Sequence, residues 1–462
     1  MGLAVVMFSA AIVACSGENE KFDVDFEPDE NIVQDFGGAS CTIIGSERNG
    51  RIEVDPSGEY EDSYWAERLK ERYGEIEKTY NVKFVFKRDD GNLVANFAAG
   101  LDWADLYDNR ADNHYSYLNG GYLLPLNDFD GFLEGIEDGK WGSPAAVEYF
   151  SRHGLYYGFQ AGYHGIPFPA LGGMLYGNAT VLNQFGVSPF EMIENGTWTW
   201  SGFEQVLSTI GCDPKNDDAV CGMLFHPSFP KYFMTAAIMS NGGDLAVVDS
   251  EGNYKINMDD PKCVEALEWV RSLITKGLAA VAVNESGYTS NTGAPYQFAR
   301  FVDNRLAFWC EYSYVGTVDT NGFMYQDLDF YILPCPAGPS GNYGEWAAYI
   351  GQADRYFSVP ATAHEDIVST LLTKIYEPLG EDKYEWRDVY ASLNFLHEES
   401  AHMYYTMYDN ARPDYHLVTD SFPWGSISTG SKTVNTAVEE NLSKMQANLD
   451  KYYNDISIAA RQ

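Results

Sequence analysis

Positively charged side chains are scarce in this sequence of 462 residues. Its 30 Lys and Arg residues stand against 67 Asp and Glu residues, which gives a formal net charge of −37 at pH 7. A field of this sign repels nucleic acids and anionic lipid surfaces. We therefore exclude both as ligands of the main body of the protein and attribute most of the acidity to solubility.

Cysteine pairs of the Cys-x-x-Cys type are absent, which excludes zinc-ribbon and thioredoxin-like sites. Cys212 and Cys221 bracket the polar segment CDPKNDDAVC, which a disulfide would close, and the sequence leaves open whether that bond forms. Small thiols in apolar runs are usually buried. We expect this of four further cysteines: Cys41, Cys263, Cys310 and Cys335.

The apolar run at the N-terminus, residues 1–14, is too short to cross a bilayer, which takes about 20 residues. It matches the apolar region of a secretory signal peptide, and IVAC at residues 12–15 resembles the bacterial lipobox, whose cysteine is lipidated and becomes the new N-terminus. We therefore expect residues 1–14 to be a signal peptide. Residues 15–34 are expected to consist of the lipidated Cys15 and a flexible acidic tether.

The same N-terminus lacks the basic residue with which a signal peptide opens, because no Lys or Arg precedes Lys21. We expect that the sequence starts late or is truncated. A buried N-terminal strand is the alternative interpretation of the apolar run.

Aromatic residues are abundant, at 15% of the chain with 33 Tyr and 10 Trp. Both side chains combine a flat apolar face with a polar group, which suits the recognition of polar ligands. A Tyr-rich core and surface is the alternative explanation.

Strand and helix patterns alternate along the chain. ASCTIIG at 39–45 predicts a strand, and a helix follows in which Trp65, Leu69, Tyr73, Ile76 and Tyr80 recur at steps of four and three. VKFVF at 82–86 predicts the next strand. Capping residues mark two later helices. Thr199 or Ser201 would cap the helix in TWTWSGFEQVLSTI, and Asp260 with Pro261 would begin a helix that ends at Gly277. A long amphipathic helix closes the chain. This alternation predicts an α/β protein with parallel sheets.

Two segments resemble known enzyme motifs, but neither matches its motif fully. HEESAH at 397–402 resembles a zinc-binding motif, but its two histidines are five residues apart. On a helix they would point in directions about 140° apart, whereas a zinc site needs an i, i+4 pair on one face. GSISTGSKT at 425–433 resembles a P-loop with its lysine one residue late. Gly-x-Ser-x-Gly and Gly-x-Gly-x-x-Gly do not occur. We expect no catalytic residue, no metal site and no cofactor, although a glycosidase carboxylate pair can be judged only by geometry.

The order of several segments resembles the extracellular solute-binding proteins of bacterial ABC importers, the family that includes maltose-binding protein. The segments are IVQDFGGASCTII with RYGEIEKTYNVKF, GLDWADLY with YLNGGYLLPLND, LYGNATVLNQFGVSP with TWTWSGFEQV, NGGDLAVVDSEGNYKINMDDPKCVEALEWVRSLITKGL, and FVDNRLAFWCEYSY. The likeness covers nearly the whole chain from residue 32. Two positions depart from the family pattern, the Tyr176-Gly177-Asn178 segment and Asn304.

The resemblance implies a two-lobed periplasmic-binding-protein-like fold (type II). Lobe 1 is expected over 35–165 plus 335–400 and lobe 2 over 170–330 plus 405–462, with strands crossing between the lobes at 166–171 and 330–335. A carbohydrate, expected to be an oligosaccharide, would be clamped between the lobes and passed to ABC permease subunits with their ATPase. The protein would be a monomer held at the outer face of the bacterial membrane by the lipid on Cys15, with no covalent chemistry of its own.

Sugar recognition needs polar groups for the hydroxyls and flat rings for the C–H faces. The resemblance places such residues in loops at the strand ends of both lobes, where open α/β sheets bind ligands. Those expected in lobe 1 are Glu47, Arg48, Trp103, Asp108, Asn109, Arg110 and Asp112. Those expected in lobe 2 and in later loops are Tyr232, Phe233, Glu311, Tyr312, Tyr314, Trp346, Tyr349 and Trp424.

Other functions stay open at this point. An extracellular glycan-degrading enzyme would need two carboxyl groups facing one cleft. A surface adhesin would present a broad exposed aromatic patch instead of a cleft. Binding of a peptide or another small solute would favour a cleft lined by charges rather than rings.

Overall fold

The computed structural model describes residues 22, 24–28, 34–48, 51–52, 54–57, 64–164, 170–216, 218–225, 230–282, 296–316, 328–351 and 354–455. The expected signal peptide, the lipidated Cys15 and most of the tether lie outside these residues. Among the described residues, no helix has the length and apolar character that a membrane crossing requires.

Strands and helices alternate through the described chain. The strands are β1 (Ala39–Gly45), β2 (Glu47–Arg48), β3 (Arg51–Ile52), β4 (Val82–Arg88), β5 (Leu106–Arg110), β6 (Ser151–Arg152), β7 (Leu155–Tyr156), β8 (Met174–Asn178), β9 (Cys221–Phe225), β10 (Ala246–Val248), β11 (Tyr254–Ile256), β12 (Ala280–Val281), β13 (Leu306–Glu311), β14 (Phe330–Leu333), β15 (Tyr349–Ile350), β16 (Arg355–Ser358) and β17 (Arg412–Pro413). The helices are α1 (Tyr64–Tyr80), α2 (Leu93–Ala98), α3 (Ala111–Asn119), α4 (Phe132–Glu137), α5 (Pro144–Tyr149), α6 (Ala179–Gln184), α7 (Pro189–Glu194), α8 (Trp200–Ile210), α9 (Lys231–Ser240), α10 (Pro261–Thr275), α11 (Tyr296–Val302), α12 (Glu365–Ile375), α13 (Glu385–Asn394), α14 (Glu398–Asp409), α15 (His416–Thr419), α16 (Trp424–Ser428) and α17 (Val434–Leu449).

Two sheets form the centres of two lobes. The lobe 1 sheet has the order β16-β5-β1-β4, in which β1 pairs in parallel with β4 and β5, and β16 pairs antiparallel with β5. The lobe 2 sheet has the order β12-β9-β13-β8-β14, with β13 parallel to β9 and antiparallel to β8. The parallel pairing expected from the sequence holds for β1 with β4 and β5 and for β13 with β9, but antiparallel pairs occur in both sheets, so the sheets are mixed rather than parallel.

The helices with the clearest sequence signals form where expected. In α1 the residues Trp65, Leu69, Tyr73 and Ile76 are buried, because steps of four and three place them on the face that packs on β4 and α12. Asp260 caps α10 by accepting a hydrogen bond of 2.8 Å from the Lys262 amide.

The start of α8 separates the two cap candidates. Thr199 Oγ1 accepts a hydrogen bond from the Gly202 amide at 3.3 Å, so Thr199 and not Ser201 is the cap. Glu204 accepts hydrogen bonds from Trp269 and Lys276 instead of closing a capping box. Trp269 in turn stacks on Trp200 at 4.3 Å between ring centroids, which joins α8 to α10.

Short segments join the lobes side by side, and we call residues 170–172, 349–351, 354–355 and 412–416 the waist. Gly172 and Tyr349 exchange two backbone hydrogen bonds of 2.8 and 3.1 Å, and β15 pairs in parallel with β17. Asp354 accepts a hydrogen bond of 3.0 Å from the Ala170 amide. Gly172 is fixed by this contact, because a Cβ there would lie 2.1 Å from the Tyr349 ring.

One expected crossing is wrong. The segment 330–335 does not pass between the lobes, because β14 pairs antiparallel with β8 inside the lobe 2 sheet. The Pro/Gly-rich stretch that follows also stays on lobe 2, where the Ala337 amide donates to the Trp198 carbonyl and the Ser340 amide to Asn241 Oδ1. The chain returns to lobe 1 near residue 350 rather than near 335.

The expected crossing at 166–171 falls mostly outside the described residues, and its described end, 170–171, belongs to the waist. A helical link also joins the lobes. Trp386 of α13 donates to the Gly162 carbonyl in lobe 1 at 2.8 Å, and Ser400 of α14 accepts from the Ile332 amide of β14 in lobe 2 at 3.0 Å.

Cys212 and Cys221 form a disulfide between the end of α8 and β9, which settles the alternative left open by the sequence. The four cysteines expected to be buried thiols are free and buried.

Replacing both Cys212 and Cys221 by serine is expected to lower the free energy of unfolding by about 2–3 kcal/mol, because a loop of this length loses closure entropy of that size in the unfolded chain. Chemical denaturation under non-reducing conditions measures the effect. Serine at Cys263, a free buried thiol, serves as a comparison without a crosslink. Equal midpoints for the wild type and the double variant would contradict a stabilising bond.

Candidate ligand-binding site between the lobes

The lobe 1 side of the site begins where β5 ends. Arg110 is the last residue of β5, and its guanidinium pairs with the Asp112 carboxylate at 3.0 Å. The two side chains are 53% and 35% exposed, so they are available to a ligand. Parallel strands direct their following loops to one edge of a sheet, which explains why these polar groups lie together.

The lobe 2 side begins where β13 ends, at Glu311. The Tyr312 ring stacks nearly parallel on the Tyr314 ring, with 5.9 Å between centroids and 13° between planes. The Tyr232 ring from the start of α9 meets Tyr312 edge to face at 5.1 Å. Tyr314 is 47% exposed and is the most exposed ring of the group.

The pKa of Tyr314 responds to charges from both sides of the site. Burial raises the pKa of Tyr314 to about 12, the Glu311 carboxylate adds to the rise, and the Arg110 guanidinium from lobe 1 opposes it. We call Arg110, Asp112, Tyr232, Glu311, Tyr312 and Tyr314 the interlobe cluster. All six were expected from the sequence to bind a ligand, and the structure brings them to one place beside the waist.

Two buried carboxyl groups lie at the waist, next to the interlobe cluster. Burial raises the pKa of Asp354 to about 6 and that of Asp414 to about 7. Near Asp414, the Lys231 ammonium opposes the rise and itself pairs with the Asp420 carboxylate. His416 shares a hydrogen bond of 2.7 Å with the Tyr149 hydroxyl.

Several buried polar atoms at the waist have no hydrogen-bond partner among the described residues. They are Tyr312 Oη, Asp354 Oδ2, His416 Nε2 and, next to them, Asp112 Oδ1. Buried polar groups are nearly always hydrogen-bonded in folded proteins. Gly351 is required here, because a Cβ would lie 2.7 Å from both Tyr312 Oη and Asp414 Oδ2. The Tyr312 hydroxyl is therefore a buried polar group that the described residues leave without a hydrogen bond.

Two residues expected to bind ligand through the β5 strand are buried instead. Asp108 forms an ion pair with Arg355 of β16, whose Nε donates to it at 3.0 Å, and its side chain is fully buried. Asn109 is 3% exposed and donates to the Tyr356 hydroxyl at 3.1 Å. Both positions face the neighbouring strand, so in this conformation they hold the sheet together rather than line its edge.

Aromatic residues expected in later loops also lie in the core. Phe233 and Tyr349 are each 1% exposed, and Trp346 is 7% exposed and packs against Tyr343 at 5.0 Å. Trp424 is 5% exposed, and its Nε1 donates to the Thr419 carbonyl at 2.8 Å. These rings present no face to a ligand in this structure.

The remaining expected residues belong to lobe 1. Trp103 is half-buried and packs on Tyr107 at 5.0 Å between centroids, away from the interlobe cluster. Glu47 and Arg48 form β2, and their side chains lie outside the described part of the structure.

Several polar residues beside the interlobe cluster were missed. They are Lys231, Asp354, Asp414, His416 and Asp420. For Asp414, His416 and Asp420 a signal was present: the run of charged residues among aromatics and prolines in ARPDYHLVTDSFPW at 411–424, which is unusual for a buried segment.

One group of metal-ligating residue types lies elsewhere in lobe 1: Asp102, Asp105 and His364. Asp105 accepts from the Thr42 amide at 2.6 Å and from both the His364 amide and Nδ1 at 2.9 and 3.0 Å. Its oxygens are therefore used in joining β1 to the start of α12. This group precedes β5 and so lies at the opposite end of the sheet from Arg110.

Replacing Asp414 by asparagine is expected to change how stability depends on pH. The folded carboxyl has a pKa of about 7 against 3.8 for the ordinary group. Between about pH 4 and 7 the folded protein thus binds more protons than the unfolded chain, so this group's contribution to the free energy of unfolding falls as pH rises. As pH rises from about 4 to 7, the free energy of unfolding of the variant should therefore increase relative to that of the wild type.

His416 acts in the opposite direction. Burial lowers its pKa to about 4, so its contribution rises with pH between about 4 and 6.5. Because His416 is present in both proteins, the difference between wild type and Asp414→Asn isolates the carboxyl. Urea unfolding at four values between pH 4.5 and 7.5 measures this difference. A difference that does not vary with pH would refute the assignment.

No protein-family model matches the chain, and no curated protein does. Solved structures match over nearly the full length. The GacH receptor of Streptomyces glaucescens, solved unliganded and with acarbose, has 17% identity and a TM-score of 0.57, covering 90% of this chain and 99% of that one. The sugar-binding protein MalE from Xanthomonas citri has 13% identity and a TM-score of 0.60, covering 89% and 98%.

The maltose-binding periplasmic protein MalE from Listeria monocytogenes, solved with maltose, has 16% identity and a TM-score of 0.57, covering 90% and 99%. At such identities the likeness concerns the fold. The chain therefore has the two-lobed α/β fold of these maltose-binding-protein-like structures, as the sequence predicted.

Proposed function

We propose that this protein is the substrate-binding component of an ABC importer and captures a carbohydrate between its lobes. The carbohydrate we expect is an oligosaccharide. The observation that carries the proposal is the interlobe cluster: stacked and edge-to-face tyrosines on lobe 2 opposite a charged pair, Arg110 and Asp112, on lobe 1. Rings suit the C–H faces of a sugar, and planar charged groups suit its hydroxyls.

Proteins of the same fold give this proposal its context. Two of the structures with which the chain shares its fold were solved in complex with acarbose and with maltose. The Tyr312 hydroxyl, which has no hydrogen-bond partner among the described residues, adds support, because a sugar hydroxyl could pair with it.

Lobe closure about the waist would complete the site. The waist is narrow and its segments pair through few backbone hydrogen bonds, so a small change of backbone angles there would rotate one lobe on the other. Closure would hide the ligand and present one surface to the membrane permease. Energy for transport would come from the partner ATPase.

The N-terminal sequence extends the proposal to the location of the protein. A lipid on Cys15 would hold it at the outer face of the bacterial membrane, close to its permease, through the acidic tether. Labelling of growing cells with an alkyne fatty acid tests this: the wild type should incorporate the label and Cys15→Ser should not. Equal labelling of both proteins would contradict lipidation at Cys15.

A thermal-shift and calorimetric screen of the full chain against a glycan panel tests the central proposal. The expected result is a rise in melting temperature with at least one oligosaccharide, which is recovered intact after long incubation. Recovery of hydrolysed sugar would favour the glycan-degrading enzyme instead. A response to peptides alone would favour a peptide-binding protein of the same fold.

A further inference from the structure

Glu311 occupies an unusual position in the interlobe cluster. It ends β13 and is half-buried, and its Oε1 accepts a hydrogen bond of 3.1 Å from the Tyr312 amide. The carboxylate adds to the raised pKa values of Tyr232, Tyr312 and Tyr314, in which burial is the main cause. The carboxyl group therefore lies within electrostatic range of three tyrosine side chains.

The basic groups in and next to the interlobe cluster pair with carboxylates other than Glu311. Arg110 pairs with Asp112 at 3.0 Å, and Lys231 pairs with Asp420. Burial raises the pKa of Glu311 to about 7, and within the described chain no basic group opposes that rise. A carboxylate held among rings without a counter-charge carries a desolvation cost that a bound cation would remove.

A second observation concerns Tyr312, whose ring lies between those of Tyr232 and Tyr314. Tyr312 is 1% exposed, and its hydroxyl has no hydrogen-bond partner among the described residues. The cluster thus combines an unpaired carboxyl, an unused hydroxyl and the half-exposed face of Tyr314. Tyrosine faces attract cations through their quadrupole, and a carboxylate binds an ammonium by charge-assisted hydrogen bonds.

We propose, on the basis of the proposed carbohydrate function, that the ligand carries a protonated amino group, as in an amino sugar, and that Glu311 binds it beside the ring of Tyr314. The other polar groups of the cluster would remain for hydroxyls. A positively charged ligand is therefore favoured at this point over a negatively charged one, because the Glu311 carboxylate would repel the carboxylate of a uronic acid.

Calorimetric titration of the full chain with two matched pairs tests the proposal. One pair is the β-1,4 glucosamine tetramer and cellotetraose, and the other is maltotetraose and its 6-amino-6-deoxy derivative. Within a pair that binds, the amino member should bind about tenfold more tightly near neutral pH. Glu311→Gln should abolish this preference, whereas Glu251→Gln at the exposed turn between β10 and β11 should retain it.

The outcomes separate this inference from the function on which it rests. If neutral glycans bind and amino glycans do not bind more tightly, or if the preference survives in Glu311→Gln, the amine proposal is wrong and the carbohydrate function stands. If no glycan of any kind binds, the carbohydrate function fails and the amine proposal fails with it. Melting temperatures of both variants establish that they are folded.

Discussion

Replacing Asp108 by alanine is expected to lower the free energy of unfolding by about 3–5 kcal/mol, because it leaves the Arg355 guanidinium buried without its partner. The pair joins β5 to β16 across the lobe 1 sheet, and the Arg355 side chain is only 17% exposed. Urea denaturation followed by circular dichroism measures the change. A ligand contact in this position would instead leave stability intact and lower affinity.

Two comparisons make the Asp108 result specific. Asp112→Ala removes a carboxylate four residues further on, from a pair that is largely exposed, and should cost no more than about 1 kcal/mol. Asp108→Ala combined with Arg355→Met should recover part of the lost stability, since neither charge is then left alone. If Asp108→Ala and Asp112→Ala unfold at the same urea concentration, the ion pair is not the structural element described above.

Replacing Tyr314 by alanine is expected to weaken ligand binding about 10- to 100-fold. Its ring is the half-exposed aromatic face of the interlobe cluster, and a ring that packs on a ligand contributes about 1.4–2.8 kcal/mol through buried area and stacking. The melting temperature should change little, because the side chain is 47% exposed before ligand binds. Calorimetry with the best glycan of the panel measures the affinity.

Tyr343→Ala is the matched control for Tyr314. Tyr343 is 41% exposed and lies on the outer side of lobe 2, where its hydroxyl donates to the Ile193 carbonyl at 2.7 Å. Its removal should leave affinity unchanged. Equal affinity losses in the two variants would show that exposed tyrosines act non-specifically and would refute the special role of Tyr314.

The parts of the fold that the sequence predicted are those with local signals. The buried face of α1 follows from steps of four and three, and α10 follows from the Asp260 cap and Gly277. The β14 strand was assigned to a crossing because it precedes prolines and glycines. Its pairing with β8 is a long-range event that no local pattern encodes.

The candidate site shows the same division. Residues at or just after the ends of β5 and β13, such as Arg110 and Tyr314, could be proposed from the sequence because the ends of strands lie at the edge of the sheet where ligands bind. Asp108 could not be separated from them, since the partner that buries it, Arg355, is 247 residues away. Asp414 was missed because a charged residue in a segment this buried becomes interpretable only when its neighbours are known.

The order of strands in the lobe 1 sheet has a consequence during synthesis. The antiparallel partner of β5 is β16, and the strands of the lobe 2 sheet are all made before it. With Asp108 and Arg355 separated by 247 residues, a ribosome adding about 5–20 residues per second leaves that edge unpaired for roughly 10–50 s. Unpaired edges are templates for aggregation, so the open edge of β5 is a liability until Arg355–Ser358 has been synthesised.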